Sequence, residues 1–181
     1  MPVDDPRFKL LGERVMASGV FLELSRHHLL APDGRSVARD VIRHPGAVAV
    51  VPLLGGDVVL IRQHRSAVRS FLLEIPAGKL DIRGEDPEEA ARRECVEEVG
   101  LQPGTLEPLC EFFTAPGFTD ERIALFLAED PVPVEASPVG AEEEISEIVR
   151  LPLVRAIEMI GEGEIVDAKT QIGLLMIRGR R

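Results

Sequence analysis

The 181-residue chain has no tryptophan and no tyrosine, so seven phenylalanines supply its aromatic side chains. A site that stacks against a nucleobase would therefore have to use phenylalanine or the plane of an arginine. Cysteine is also scarce, since Cys95 and Cys110 are the only two. Two cysteines do not make a disulfide framework or a zinc-ligand set, and both are expected to be core thiols.

Basic residues and long apolar runs are scarce as well. The chain has 21 Lys and Arg against 31 Asp and Glu, and the net charge of -10 argues against a nucleic-acid partner. No apolar run approaches the roughly 20 residues of a membrane span, and the first residues lack a signal-peptide pattern. We therefore expect a cytoplasmic protein with no membrane partner. An apolar content of 45% fits one substantial core.

Residues 87–99 are predicted to form a helix with well-defined ends. Asp86 is a suitable N-cap, Pro87 suits the first helical position, and Gly100 suits a left-handed exit. Helical spacing also gives this segment an apolar stripe that should face a core. The stripe consists of Ala91, Cys95 and Val99.

Glu94, Glu97 and Glu98 fall on one side of this helix, because successive helical residues are about 100° apart. Like charges three and four positions apart destabilise a helix modestly, so a bound cation or basic neighbours should offset them. Carboxylate oxygens favour hard ions such as Mg²⁺ or Mn²⁺. An acidic, solvated helix face is the alternative interpretation of the same pattern.

The residues around the helix resemble the box of the Nudix hydrolase superfamily, G-x5-E-x7-R-E-U-x-E-E-x-G-U, in which U is a bulky apolar residue. The chain departs from this pattern in two places. Six residues instead of five separate Gly78 from Glu85, and Cys95 occupies the first U position. The extra residue falls in the loop before the helix, so the carboxylates should keep their arrangement. The positions in register are Glu85, Arg93, Glu94, Glu97, Glu98, Gly100 and Leu101.

Residues 74–78, with the sequence EIPAG, resemble the E-x-P-A-G segment that precedes the box in ADP-ribose pyrophosphatases. Those enzymes carry a proline about fifteen residues beyond the box, where this chain has Pro116, although an ordinary Pro-Gly turn would also account for it. The resemblance covers roughly residues 39–177. Further matching segments are residues 44–48, 61–65 and 163–168.

The resemblance implies a metal site on the helix and the preceding loop. It implies Glu94 and Glu98 as the principal metal ligands, Glu97 as a further ligand and the Ala77 carbonyl as a backbone ligand. Arg93 is expected to orient the carboxylates, and Arg93, Glu97 and Glu98 are counted with the catalytic residues. The expected ion is Mg²⁺, with Mn²⁺ as the alternative. Such ions offset phosphate charge and orient an attacking water.

The resemblance also implies a glutamate that activates water from a loop well downstream of the box. Glu143 is the predicted residue, and a shift of register by one would nominate Glu142 or Glu144 instead. A solvated acidic loop is the simpler interpretation of the same three residues. An adjacent proline-rich stretch suggests a segment that moves when substrate binds.

Four residues are predicted to contact the substrate. Arg65 and Arg62 end an apolar strand and would contact phosphates or the terminal ribose. Glu74 would accept hydrogen bonds from a sugar or an adenine edge, and Phe118 would stack on adenine. Phe21 is a second stacking candidate only if a partner subunit donates it; core packing is its simpler role.

Short β-rich runs alternate with helical segments, which indicates a mixed α/β chain. Residues 33–34 and 55–56 predict hairpin turns. Apolar spacing predicts a helix from residue 153 that closes at Gly161, and another over residues 171–177. The predicted strands cover residues 19–24, 39–43, 47–51, 58–62, 71–75, 106–113, 122–128 and 145–151.

We expect residues 1–43 to form an N-terminal antiparallel β unit and residues 44–181 the catalytic domain. The resemblance implies a Nudix-type α/β/α sandwich with a mixed sheet, and a homodimer that exchanges its N-terminal strands. It also implies Mg²⁺-dependent hydrolysis of ADP-ribose to AMP and ribose 5-phosphate. The alternatives are hydrolysis of another nucleoside diphosphate sugar and a noncatalytic ADP-ribose sensor. The complete set of box carboxylates favours an enzyme over a sensor.

Overall fold

The structure, a computed structural model, describes residues 7–135 and 145–179. Contacts divide the chain into two compact units. One unit comprises Met1–Gly46 with Phe113–Arg122, and the other comprises Ala47–Phe112 with Ile123–Arg181. The domain boundary predicted between residues 43 and 44 stays a prediction.

The first unit contains an antiparallel sheet of three strands, β1 (Lys9–Ser18), β2 (Glu23–Leu30) and β3 (Ser36–Arg43), in that spatial order. The predicted hairpin turn between β2 and β3 is confirmed by Gly34, whose φ is 82°. Glycine adopts this left-handed conformation without a steric penalty.

The prediction of a first strand over residues 19–24 is wrong. A turn follows β1, in which the Gly19 N–H donates to the Leu22 carbonyl at 2.8 Å, and β2 begins only at Glu23. β1 itself was missed because its residues do not alternate regularly between apolar and polar. Every residue of β1 is exposed, and its register with β2 shifts twice.

The second unit is built on a mixed sheet of seven strands. Its strands are β4 (Ala47–Leu54), β5 (Asp57–Arg65), β6 (Ser70–Glu74), β7 (Ala77–Lys79), β9 (Thr105–Phe113), β10 (Arg122–Glu129) and β12 (Glu147–Pro152), while β8 (Leu101–Gln102) and β11 (Val132–Pro133) form a separate pair. The main order is β12-β5-β4-β10-β9, with β6 paired to β5 and β7 to β4. β4 and β10 run parallel, whereas β4 and β5 form an antiparallel hairpin at Gly55 and Gly56, as predicted.

Helices cover both faces of this sheet. Among the described residues they are α1 (Pro87–Val99), α2 (Leu153–Gly161) and α3 (Ala168–Met176). Val48 and Val50 of β4 belong to the buried cluster of Cys95 on α1, whereas Val51 belongs to the cluster of Leu174 on α3. Successive strand residues point to opposite faces, so β4 contributes to both layers. The predicted α/β/α sandwich with a mixed sheet is confirmed.

The boundaries of α1 and α2 agree with the sequence predictions, but α3 begins three residues before the predicted start at residue 171. Asp167 caps α3, and its side chain accepts a hydrogen bond from the Thr170 N–H at 2.9 Å. Within the described residues, no helix has the length and apolar character needed to cross a membrane.

Candidate active site

Helix α1 presents its carboxylates from a firmly anchored position. The Asp86 side chain accepts a hydrogen bond from the Glu88 N–H at 2.8 Å, and Gly100 ends the helix with a φ of 62°. The apolar stripe Ala91, Cys95 and Val99 is buried against the sheet, as the helical spacing predicted. The adjoining side of the helix, which carries the carboxylates, is therefore fixed in orientation.

Arg93 is hydrogen-bonded to three carboxylates at once. Its Nε and Nη2 donate to the two oxygens of Glu85 at 2.8 and 3.0 Å, so this pair is bidentate. Its Nη1 donates to Glu94 at 2.6 Å and to Glu97 at 2.9 Å. The bond from Arg93 lowers the pKa of the Glu85 carboxyl, and the same bond contributes most to raising the pKa of Arg93. Arg93 therefore sets the relative positions of these carboxylates.

The loop that enters β7 packs directly on the carboxylates of α1. The Ala77 N–H donates to Oε2 of Glu98 at 2.7 Å. Gly78 lies so close to Glu94 that a Cβ at position 78 would be 2.0 Å from the carboxylate carbon Cδ. Glu94 and Glu98 are each only 7% exposed. Sequence reasoning did not anticipate the Ala77–Glu98 hydrogen bond, which joins residues 21 positions apart.

The chemistry of this group fits a hard divalent cation. Three carboxylates surround the single guanidinium of Arg93, which offsets only part of their charge. Carboxylate and main-chain oxygens are the ligands that such ions prefer. In residues 7–135 and 145–179 no group of three or more acidic, His or Cys side chains is already arranged to hold a metal ion.

Glu74 lies at the end of β6 and is only 1% exposed. Its oxygens accept hydrogen bonds from Nε and Nη2 of Arg65 at 2.8 and 2.7 Å, and Glu74 also forms a buried ion pair with Lys169 of α3. Burial alone would raise the pKa of the Glu74 carboxyl, but Arg65 and Lys169 outweigh it and lower the pKa. The predicted contact of Glu74 with a substrate stays a prediction.

Lys169 is a residue of this region that sequence reasoning missed. The matching segment 163–168 ends one residue before it. No local signal marked it, because the helix was predicted to begin only at residue 171 and a lysine beside Thr170 and Gln171 is expected to be solvated. The partner itself, Glu74, is 95 positions away in the sequence.

The two arginines predicted to bind substrate lie at different places on β5. Arg65 is paired with Glu74, and its side chain remains 38% exposed. Arg62 is exposed, and strand alternation places residues three positions apart on opposite faces. The structure therefore brings Arg65, but not Arg62, together with Glu74.

Phe118 belongs to the first unit, where it is 59% exposed in a turn after β9. The turn is fixed to the end of β3: the Ile42 N–H donates to the Phe118 carbonyl at 2.7 Å, and Arg43 donates to Asp120 at 2.9 Å. Phe21, the other stacking candidate, has its ring edge-to-face with His44 at a centroid distance of 5.7 Å.

The predicted water-activating residue, Glu143, lies outside the described residues, as do its alternatives Glu142 and Glu144. Their assignment stays a prediction.

Residues 43–170 match the NUDIX domain family. An ADP-ribose pyrophosphatase from Bacillus subtilis (strain 168) is 35% identical over 163 residues, covering 90% of this chain and 88% of that protein. An ADP-ribose pyrophosphatase from Mycobacterium tuberculosis (strain ATCC 25618 / H37Rv) is 34% identical over 171 residues, with coverages of 94% and 83%. The solved structure of an ADP compounds hydrolase superposes with a TM-score of 0.83 at 24% identity, covering 98% of this chain and 95% of the other, and this likeness shows the fold.

Proposed function

The chain belongs to the NUDIX domain family of hydrolases, and from this premise we propose that it hydrolyses the pyrophosphate bond of ADP-ribose to AMP and ribose 5-phosphate. The observation that carries the proposal is the carboxylate group on α1, with Arg93 between its members and the loop of Ala77 and Gly78 packed against it. The two ADP-ribose pyrophosphatases support the choice of substrate, because their similarity extends over most of the chain.

Nudix hydrolases act with a divalent metal ion, and we propose Mg²⁺ here, with Mn²⁺ as the alternative. When bound, such an ion offsets the charge of the diphosphate and lowers the pKa of an attacking water. Glu94, Glu97, Glu98 and the Ala77 carbonyl are the proposed ligands. Their chemistry supports this choice, since all four supply hard oxygen atoms.

The chain's own residues supply orientation and proton transfer in this scheme. Arg93 holds Glu94 and Glu97 in place, because one guanidinium nitrogen bonds both carboxylates. We assign to Glu143 the acceptance of a proton from water as the water attacks phosphorus. A shift of register by one residue would assign this role to Glu142 or Glu144 instead, and substitution of each glutamate distinguishes them.

Substrate recognition would begin with the partly exposed guanidinium of Arg65, which is suited to bidentate contact with phosphate. Beside it, Glu74 would accept hydrogen bonds from a sugar or an adenine edge. The positive charge of Arg62 would attract the anionic substrate as it approaches. Phe118 is the proposed stacking surface for adenine. Its exposure supports this role, since a ring that is already packed offers no face to a ligand.

The activity test uses the purified full chain with ADP-ribose, ADP-glucose, NADH and GDP-mannose, each with Mg²⁺, Mn²⁺ or EDTA. The products are identified by mass. We expect metal-dependent conversion of ADP-ribose to AMP and ribose 5-phosphate to be the fastest reaction. Preference for another substrate would favour the broader nucleoside diphosphate sugar hydrolase. Tight ADP-ribose binding without turnover would favour the sensor.

We also propose that the protein is a homodimer whose N-terminal strands are exchanged. β1 is an edge strand of its sheet and carries exposed apolar residues that include Leu10, Leu11, Val15 and Met16. An exposed, apolar edge strand is a ready surface for pairing with another chain. Sedimentation should give a dimer mass that Leu11→Asp shifts towards the monomer, while the exposed-site control Val154→Asp does not. A monomeric wild-type protein would contradict the proposal.

We also propose that the protein is located in the cytoplasm, as expected from the sequence.

A further inference from the structure

The segment that joins β6 to β7 is held at four consecutive residues. Glu74 is held through its side chain, and the Ile75 N–H donates to Oγ1 of Thr170 at 2.9 Å. The Pro76 carbonyl accepts from the Val50 N–H at 2.9 Å. Finally, the Ala77 N–H donates to Glu98 at 2.7 Å. Glu74 is therefore only three residues before Ala77, which contacts the α1 carboxylate of Glu98, and each residue of this segment is held by a hydrogen bond or an ion pair.

Two of these four restraints come from the first turn of α3. Lys169 provides the ion pair to Glu74, and Thr170 provides the hydroxyl that accepts the Ile75 N–H. Both side chains are fixed in turn by the N-cap Asp167, which lies 3.1 Å from Nζ of Lys169 and accepts the Thr170 hydroxyl at 2.6 Å. The capped end of α3 thus braces the segment that leads to Ala77.

Lys169 is also distinctive for where its charge lies. It is 8% exposed, and removing an ammonium group from water is costly unless oppositely charged partners surround it. Its partners are Glu74 and Asp167. Arg65, the other cation at Glu74, has a side chain 38% exposed and is the one placed to meet a ligand. Because Lys169 is a second and more deeply buried cation, Glu74 would stay paired if Arg65 turned to a substrate phosphate.

We propose that Lys169 is a positioning residue for the hydrolysis, which acts by fixing Glu74 and thereby the segment that carries Ala77 against Glu98. Thr170 assists through the adjacent main chain. The catalytic part of this inference rests on the proposed function, whereas its effect on cation binding does not. The partners that orient metal ligands typically affect metal affinity or activity by about 10- to 100-fold.

The test compares Lys169→Met and Thr170→Val with wild type by three readouts. These are the Mn²⁺ dissociation constant measured by calorimetry without substrate, kcat and KM for ADP-ribose, and the melting temperature. We expect Mn²⁺ affinity to fall about tenfold and kcat to fall about 10- to 100-fold in Lys169→Met, with KM changed less than threefold. Thr170→Val should give the same pattern more weakly. Lys169→Arg, which keeps a cation at Glu74, should retain more activity than Lys169→Met.

The control is Arg155→Met on α2. Arg155 forms ion pairs with Glu158, Glu162 and Glu164, but its side chain is exposed, so Mn²⁺ affinity and kcat should equal those of wild type. If Arg155→Met has wild-type Mn²⁺ affinity and kcat, the losses in Lys169→Met arise from the buried ion pair and not from the loss of any ion pair.

Three outcomes would overturn the proposal. One is a lower melting temperature of Lys169→Met with unchanged Mn²⁺ affinity and kcat, which would indicate that Lys169 has a purely structural role. Another is a rise in KM without a change in kcat, which would indicate a role in substrate binding. If Lys169→Met does not fold, the third is a Thr170→Val variant with wild-type affinity and kcat. A wild-type protein that binds Mn²⁺ but leaves ADP-ribose intact would refute the proposed function, while the Mn²⁺ affinities of the variants would still decide the role of Lys169.

Discussion

Replacing Gly78 by alanine should separate catalysis from folding. A Cβ at position 78 would lie 2.0 Å from Cδ of Glu94, whereas ordinary contacts begin at 3.4 Å. The Glu94 carboxylate must therefore move by about 1.4 Å. A misplacement of about 1 Å at a reacting centre can lower a rate by about 100-fold. We expect kcat for ADP-ribose to fall by about that factor and the required metal concentration to rise.

The fold should tolerate the same change, because the displaced group is the end of a flexible side chain. Gly78 is absent from the residues with positive φ, so alanine introduces no backbone strain there, and the loss of chain entropy on folding becomes smaller. The melting temperature should thus stay within about 4 °C of wild type, which corresponds to about 1 kcal/mol in a protein of this size.

The assay measures kcat as a function of Mg²⁺ concentration, beside thermal unfolding, for Gly78→Ala and a matched control. The control is Gly161→Ala at the end of α2, where an added Cβ would meet nothing within 4 Å. Wild-type kcat and metal dependence in Gly78→Ala would refute the argument that close packing of Gly78 sets the position of Glu94. An equal loss of activity in Gly161→Ala would show that the effect is not specific to position 78.

Three further substitutions test other parts of the site. Glu98→Gln should lose metal-dependent turnover while circular dichroism shows a retained fold, and near-normal kcat would remove Glu98 from the ligand set. Glu143→Gln should lower kcat while calorimetry still detects metal and ADP-ribose binding; unchanged kcat would shift the assignment to Glu142 or Glu144. Glu74→Gln should destabilise the fold by about 3 kcal/mol at pH 7, because it leaves buried cations without their carboxylate. The pKa of Glu74 is lowered from 4.5, so its stabilisation is complete above that pH and is lost as the pH falls below it through the folded-state value. Urea unfolding at pH 7 and pH 3 should show the difference from wild type shrinking, and a constant difference would contradict the ion-pair argument.

The parts of the fold that sequence predicted correctly are those set by neighbouring residues. Helix α1 has its cap, its first-turn proline and its terminal glycine within one segment, so its limits were readable. β1 was missed because all its residues are exposed and no alternation marks a buried face. The start of α3 was misplaced because the Asp167 cap precedes the apolar residues that signalled the helix.

The candidate site divides in the same way. Glu94, Glu97 and Glu98 are brought together by helical spacing alone, which a single segment reveals. The pairing of Glu74 with Lys169 depends on how β6 and α3 meet across the core, and no local pattern encodes it. Sequence therefore predicted the acidic residues well but not the contacts that hold them in place.

Cys95 gives α1 a built-in reporter of its own opening. The thiol is fully buried beneath the carboxylate face, and burial, with the charge of Glu98, raises its pKa to about 12. A thiol reagent should therefore reach Cys95 only when α1 separates from the sheet, whereas the partly exposed Cys110 should react first. In a chain without tryptophan, the slow phase of thiol labelling would then report, at this one position and under native conditions, the stability of the helix that carries the acidic cluster.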